Sequence, residues 1–168
     1  MELKNNITGE EAIYETKFDI KICEGKLVLN YYAKHSQFYS YSDKFNDDIY
    51  KGDVVEIFID VGQKDHYWEI EVAPNGTVFL ADITNDGKSF SGARLKENFV
   101  ERKVTLYEND YDVLMEIPLD KLGYNPEYGI KYNAYRIDTD GGIENAHLFA
   151  LSPTMCGSFH KKEAFIKL

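Results

Sequence analysis

Two neighbouring segments, Asp53–Asp60 and His66–Gly76, alternate apolar and polar residues along most of their length. Successive side chains of a β-strand point to opposite faces, so this alternation predicts two consecutive antiparallel strands joined by a short polar turn. One face of the predicted pair is apolar, and we expect it to pack in a core. The other face carries four acids and two aromatic rings, namely Glu56, Phe58, Asp60, Tyr67, Glu69 and Glu71.

The same period of two recurs along the chain and predicts an all-β fold, an antiparallel β-sandwich of two packed sheets. The further predicted strands are 18–22, 27–33, 77–83, 100–107, 110–117, 129–137, 146–151 and 164–168. Asn75 and Gly76 predict a tight hairpin, and a single short helical turn is predicted from Pro118 to Leu122, ending at Gly123. We interpret the segments 34–52 and 85–98 as loops, and residues 1–168 as a single domain.

The composition and the N-terminal segment limit the classes of partner and the location. The net charge is −10 and no basic run is present, which argues against nucleic acid. No apolar run approaches a membrane span, and the N-terminus lacks the apolar stretch of a signal peptide, so we expect a soluble, cytoplasmic monomer with no membrane partner. Cys23 and Cys156 could form a disulfide bond or remain free thiols in a reducing compartment.

The acidic face supports two interpretations with different chemistry. Acids beside rings on a rigid sheet suit sugar binding, although a salt-bridged outer face has the same composition. Two acids that flank a bond also suffice for glycoside hydrolysis, and acids two apart on a strand have Cα atoms roughly 6.5–7 Å apart, within the catalytic range. Any exposed strand provides that spacing, and the usual nucleophile, phosphate and zinc motifs are absent from the sequence. We therefore expect no enzymatic activity and keep a hydrolase as an alternative.

Arg136 is predicted to lie on an apolar strand face with Ala134 and Tyr132. A buried guanidinium needs a carboxylate partner, because an unpaired buried charge is very costly. Glu56 or Glu69 is the expected partner, and we favour this structural ion pair over direct contact of Arg136 with a ligand.

Two acidic loops raise the question of a structural calcium ion. The segments 138–142 and 82–87 combine Asp and Asn with Gly, as calcium loops do. Neither fits the EF-hand pattern, and the same residues form ordinary turns. We keep a structural calcium as one interpretation and assign no metal ligands.

Six motifs, taken in order, resemble the carbohydrate-binding module family 9 and its wider set of family-9-like domains. They lie at 53–60, 67–76, 115–123, 133–136, 150–154 and 159–165, so the resemblance covers the chain from about Asp53 to Leu168. It implies a non-catalytic β-sandwich module that holds the reducing end of a sugar chain between two tryptophans, with help from charged residues and structural calcium. The expected partner is therefore a glucose- or xylose-type sugar or a short oligosaccharide.

The resemblance also suggests the residues of a sugar site in this sequence. They are Tyr67, Trp68, Glu71, Arg136, Phe159 and His160. Phe159 stands at the position of one sandwiching tryptophan, and Glu71 stands where binding members have a basic residue. Alternation places Trp68 on the core face, which makes Tyr67 the better exposed ring. A second alternative is an intracellular domain of this fold that binds another small ligand or a protein.

Overall fold

The β-strands form two antiparallel sheets in a computed structural model, which describes residues 1–35, 37–142, 144 and 146–168. The larger sheet contains β1 (Lys4–Asn5), β4 (Val54–Asp60), β5 (His66–Val72), β6 (Val78–Asn85), β7 (Phe90–Arg94), β10 (Lys131–Asp138), β11 (His147–Ala150) and β12 (Ile166–Lys167). The smaller sheet contains β2 (Thr16–Cys23), β3 (Lys26–Lys34), β8 (Glu101–Leu106) and β9 (Asp110–Pro118). The strand orders are β1-β11-β10-β4-β5-β6-β7, with β12 beside β10, and β2-β3-β9-β8. The prediction of an antiparallel β-sandwich is confirmed.

The apolar face of β4 and β5 packs against the smaller sheet, as the alternation predicts. Val55, Ile57 and Ile70 are fully buried and share one core with Leu29 of β3 and Met115 of β9. Burial of each such side chain contributes about 1.5–3 kcal/mol. A register shift of one residue would turn these side chains outward, so the core determines that the acids of β4 and β5 face away from it.

The predicted turns lie where the sequence places them. Gly76 adopts a φ of 82° in the hairpin between β5 and β6, where its N–H donates to Ala73 O at 2.8 Å. The single α-helical turn α1 spans Leu119–Leu122 and ends at Gly123, which has a left-handed φ of 72°. Single 3-10 turns at Ile49–Lys51 and Lys162–Ala164 precede β4 and β12.

The segment 85–98 is not only a loop, because it contains the edge strand β7. Phe90 pairs with Asn85 and Arg94 pairs with Ala81 of β6. All five residues of β7 are exposed, so the strand carries no apolar and polar alternation for the sequence to show. The loop prediction for this segment was wrong for that reason.

Arg136 is buried between the sheets, but its ion-pair partner is Asp138 and neither Glu56 nor Glu69. Its Nη1 donates to Thr16 Oγ1 at 2.8 Å. The predicted pairing was wrong because β10 and β4 place these groups on opposite faces. Arg136 is paired with Val55 in the register of the two strands, whereas Glu56 lies one position further on and points to the other face.

The acids of the two calcium-like loops are engaged within the chain. Asp138 pairs with Arg136, and its Oδ1 accepts a backbone N–H at 2.9 Å. Asp82 Oδ1 lies 3.0 Å from His66 Nδ1, and Asp86 Oδ1 accepts two backbone N–H groups at 2.8 Å. Calcium takes about six to eight oxygen ligands, and the described residues of these loops do not present such a set. A structural calcium stays a prediction.

The two cysteines are both free thiols, with Cys23 exposed on β2 and Cys156 partly buried near the C-terminus. Within the described ranges, none of the helices has the length and apolar character needed to cross a membrane.

Candidate functional site

The C-terminal segment packs on the outer face of the larger sheet and leaves a cavity of about 450 Å³ beside it. A second apolar cluster lies here, and it includes Phe58 of β4, Tyr135 of β10, and Phe159 and Phe165 of the C-terminal segment. This face is the acidic face of the sequence, and it is largely covered. The interpretation as an ordinary salt-bridged outer face is therefore wrong for its central part.

Three acids line the cavity from the sheet side, and we call Glu56, Glu69 and Glu71 the acid cluster. Glu56 and Glu71 are directly paired residues of β4 and β5. Glu69 lies two residues before Glu71 and therefore shares its face. One carboxylate oxygen from each acid lies within 4.8 Å of those of the other two. Glu56 and Glu71 are 2% and 1% exposed, so the acids are held inside the protein.

Burial raises the pKa of every carboxyl group in the acid cluster. The pKa of Glu69 rises to about 7, although a hydrogen bond with Glu71 and the charge of Arg94 act in the opposite direction. The pKa values of Glu56 and Glu71 lie well above the ordinary value, first because of burial and then because their neighbours in the cluster repel further negative charge. In the described part of the chain, no Lys or Arg forms an ion pair with these acids.

His160 is held by rings and by a hydrogen bond on the same side of the cavity. Its ring stacks on Phe90 with a centroid distance of 3.7 Å and an interplanar angle of 22°. Its Nδ1 lies 2.6 Å from the hydroxyl of Tyr67, and Asn85 Nδ2 donates to its backbone oxygen at 3.1 Å. Burial lowers the pKa of His160 to about 4. The imidazole is therefore uncharged at neutral pH, and its ring forms part of the cavity lining.

Phe159 lines the cavity, but most of its ring is already packed. It stacks on Tyr135 with a centroid distance of 4.3 Å and an angle of 18°, and it is 7% exposed. The hydroxyl of Tyr135 donates to Phe159 O at 3.1 Å, which ties the C-terminal segment to β10.

Two exposed rings of the cavity lining were missed from the sequence. Phe90 is 52% exposed and Tyr50 is 45% exposed, and both line the cavity together with Arg94. Phe90 and Arg94 lie on β7, and Tyr50 lies in the 3-10 turn within segment 34–52, so both rings belong to segments interpreted as loops. An exposed ring in a polar segment gives no periodic signal, and only the fold brings these two to one cavity.

The structure brings together some of the predicted site residues and separates the others. Glu71, Phe159 and His160 line the cavity, and the hydroxyl of Tyr67 forms a hydrogen bond with the ring of His160. Trp68 lies on the opposite face, packs against the core and donates from Nε1 to Leu122 O at 3.0 Å. Trp68 and Arg136 were therefore wrong as members of this site, and the alternation argument that placed Trp68 on the core face is confirmed.

A larger open groove of about 590 Å³ lies elsewhere, along strands of the smaller sheet. Its lining includes Lys17, Tyr32, Lys103 and Asp112. Among the described residues, none that line this groove has a buried polar atom without a partner, whereas Glu56 Oε1 and Glu71 Oε2 in the smaller cavity are such atoms. Unpaired buried oxygens require a donor, so we place the candidate site at the acid cluster.

One curated relative provides a comparison over part of the chain. No protein-family model matches this sequence. An extracellular protein of Arthroderma benhamiae is 34% identical over 92 residues, which cover 51% of this chain and 41% of the relative. The chain thus spans less than half the length of this relative. The finding contradicts the cytoplasmic location expected from the N-terminal segment, and that expectation is wrong.

Solved structures match the fold over nearly the whole chain. A candidate carbohydrate-binding protein from Bacteroides uniformis has a TM-score of 0.80 at 18% identity, covering 98% of this chain and 83% of that one. A family 9 carbohydrate-binding module from Caldicellulosiruptor kristjanssonii, in complex with glucose, has a TM-score of 0.63 at 15% identity, covering 99% and 81%. A family 9 module from the same organism, in complex with cellotriose, has a TM-score of 0.60 at 14% identity, covering 86% and 68%. The chain therefore has the fold of the carbohydrate-binding modules of family 9.

Proposed function

We propose that this protein binds a mono- or short oligosaccharide non-covalently in the cavity beside the acid cluster. The observation that carries the proposal is the combination of buried acids and exposed rings in one cavity of about 450 Å³. That volume falls in the usual range for small-molecule sites, about 300–1,000 Å³. The sugar complexes of modules with the same fold support the same class of ligand.

The chemistry of the lining suits a sugar ring. The C–H face of a pyranose packs on an aromatic ring, and Phe90 and Tyr50 are the two rings of the lining with large exposed surfaces. Sugar hydroxyl groups can donate to Glu56 Oε1 and Glu71 Oε2, the two buried acid oxygens that have no partner among the described residues. We assign the stacking role to these two rings rather than to Tyr67, and Phe159 and His160 form the wall behind them.

Binding is favoured over hydrolysis by the electrostatics of the acid cluster. A glycosidase needs one protonated acid and one ionised carboxylate, which their surroundings drive to different pKa values. Burial raises the pKa of all three acids, so none of them keeps the ordinary pKa that an ionised nucleophile needs. A hydrolase remains the second candidate, because the acids are close together. Turnover of aryl glycosides that Glu69→Gln abolishes would establish it and displace binding as the function.

The curated relative supports an extracellular setting for this function, where polysaccharides and their fragments occur. We propose that location for this chain as well. Secretion of the full-length protein, followed by its detection in the culture medium, is the direct measurement.

Titration calorimetry with glucose, xylose, cellobiose and xylobiose tests the proposed binding. One stacked ring and a few hydrogen bonds would give a dissociation constant near 1 mM, equivalent to about 4 kcal/mol. We expect Phe90→Ala and Tyr50→Ala to weaken binding strongly. Tyr107→Ala is the matched control, because Tyr107 is also 52% exposed and lies outside the cavity. If no sugar, neutral or charged, gives a heat of binding, the proposal is contradicted.

A further inference from the structure

No ion pair in the described part of the chain balances charge on the acid cluster, and burial raises the pKa of each of its acids, so the ligand-free site favours their protonated forms. Arg94 lines the same cavity, but its guanidinium pairs with Asp48 and donates to Asn46 O at 2.7 Å. Arg136 is occupied on the opposite face by Asp138. Buried charge without a counter-charge is costly. A positively charged ligand would lower these pKa values and let the acids ionise beside it with release of protons. It would then gain a contact between opposite charges that a neutral ligand of the same shape lacks.

Two oxygen atoms of the cluster also lack a hydrogen-bond donor. Glu56 Oε1 and Glu71 Oε2 are buried, and neither has a partner among the described residues. Both belong to residues that line the cavity from paired positions on β4 and β5. A buried acceptor left without a donor carries its full desolvation cost. The group that belongs here is therefore a donor of several hydrogen bonds.

The remaining lining favours an organic cation over a calcium ion. Phe58, Phe79, Phe90 and Phe159 all border the cavity. A calcium ion takes about six to eight oxygen ligands, and phenylalanine rings supply none. A primary ammonium group needs only three acceptors for its three N–H donors, one for each acid of the cluster. Aromatic rings also attract ammonium groups, so the walls favour the same kind of ligand.

We propose that the cavity selects an amino sugar whose unacetylated, protonated amine is bound by Glu56, Glu69 and Glu71. This inference rests on the proposed carbohydrate binding and specifies the class of sugar. The pyranose ring packs on the exposed rings of Phe90 or Tyr50, while the ammonium group reaches the buried acids. N-acetylation removes the charge and two of the three N–H donors, so the acetylated sugar loses this contact.

Calorimetry with glucosamine, N-acetylglucosamine and glucose at neutral pH tests the inference. We expect glucosamine to bind about tenfold or more tightly than the other two, because hydrogen bonds to charged groups exceed neutral ones. Glu71→Gln should bring the three affinities together, since Gln keeps the shape and cannot ionise beside the amine. Glu69→Gln serves as a second variant in case the first does not fold. Glu97→Gln is the control, because Glu97 is exposed and does not line the cavity.

The outcomes separate this inference from the proposed function. Equal affinity for glucosamine and glucose would overturn the amine-specific site and leave carbohydrate binding in place. The absence of binding with all three sugars would overturn this inference, and the proposed function would then be decided by xylose, cellobiose and xylobiose. Calcium chloride alone is also titrated, without sugar. Calcium binding that Glu71→Gln abolishes and that competes with glucosamine would identify a metal site and overturn the inference.

Discussion

Glu56 of β4 and Glu71 of β5 are directly opposite each other on one sheet face, and both are buried. Like charges at opposite positions destabilise a strand pair. A sequence selected for stability alone would not keep two such acids there with a third, Glu69, beside them. On the proposed function, the arrangement lowers the stability of the ligand-free protein, and a bound ligand would offset that cost.

We predict that Glu69→Gln stabilises the ligand-free protein at high pH. The folded-state pKa of Glu69 is raised from 4.5 to about 7, so its contribution to the unfolding free energy is complete below about pH 4.5 and declines as the pH rises to about 7. Gln does not titrate, so the variant should exceed wild type by up to about 3 kcal/mol near pH 8. Urea denaturation of wild type and variant near pH 4.5 and near pH 8 measures the difference in unfolding free energy. Equal stability of the two proteins near pH 8 would show that Glu69 is not held in a low-dielectric site.

We predict the opposite pH dependence for His160. Burial lowers its pKa from 6.5 to about 4, so its contribution is complete above about pH 6.5 and is lost as the pH falls to about 4. The loss amounts to about 3 kcal/mol at most. His160→Gln removes this pH dependence. Both proteins keep Glu69, so the difference between their unfolding free energies reports the contribution of His160 alone. The stability curves of the two proteins should diverge between these pH values, and parallel curves would contradict the prediction.

Arg136→Ala is expected to destabilise the protein by about 3–5 kcal/mol, because it leaves Asp138 buried without its counter-charge. Arg102→Ala is the control, since Arg102 is exposed. The double variant Arg136→Ala/Asp138→Ala should recover part of the loss, which a double-mutant cycle in urea would measure. A melting temperature of Arg136→Ala equal to that of wild type would refute the buried ion pair.

Phe159→Ala and Phe90→Ala should have different effects on stability, although both rings line the cavity. Phe159 is buried against Tyr135, and its removal creates a cavity that costs about 3–5 kcal/mol. Phe90 is half exposed on an edge strand, so its removal should cost much less. Thermal unfolding of the two variants compares them directly. A large loss for Phe90→Ala would mean that its stack on His160 holds the C-terminal segment in place.

The fold was predictable from local sequence because most strands bury one face. Val55 and Ile57 alternate with Glu56 and Phe58, and that parity places each residue on its correct face without any tertiary information. The single domain over 1–168 and the monomeric state stay predictions.

The site was only partly predictable, because it depends on strand order and on exposed segments. Arg136 and Glu56 lie on opposite faces because of the register in which β10 pairs with β4. These strands lie more than seventy residues apart in sequence, so the register cannot be read from local sequence. Phe90 and Tyr50 lie in polar segments whose alternation is too weak to indicate a strand or a position in a cavity lining. Phe159 and His160 came from the family resemblance, and the cavity lining includes both.

The position of β7 at the edge of the larger sheet has an evolutionary consequence. Phe90, Gly92 and Arg94 alternate along this strand toward the cavity, and each is exposed. Substitutions there can change the shape of the cavity at little cost in folding free energy, whereas the acids of β4 and β5 lie in central strands whose register the core determines. If the cavity binds sugars as proposed, related chains should diverge first along β7, and they should differ in which sugar ring they accept before they differ in the acids of β4 and β5.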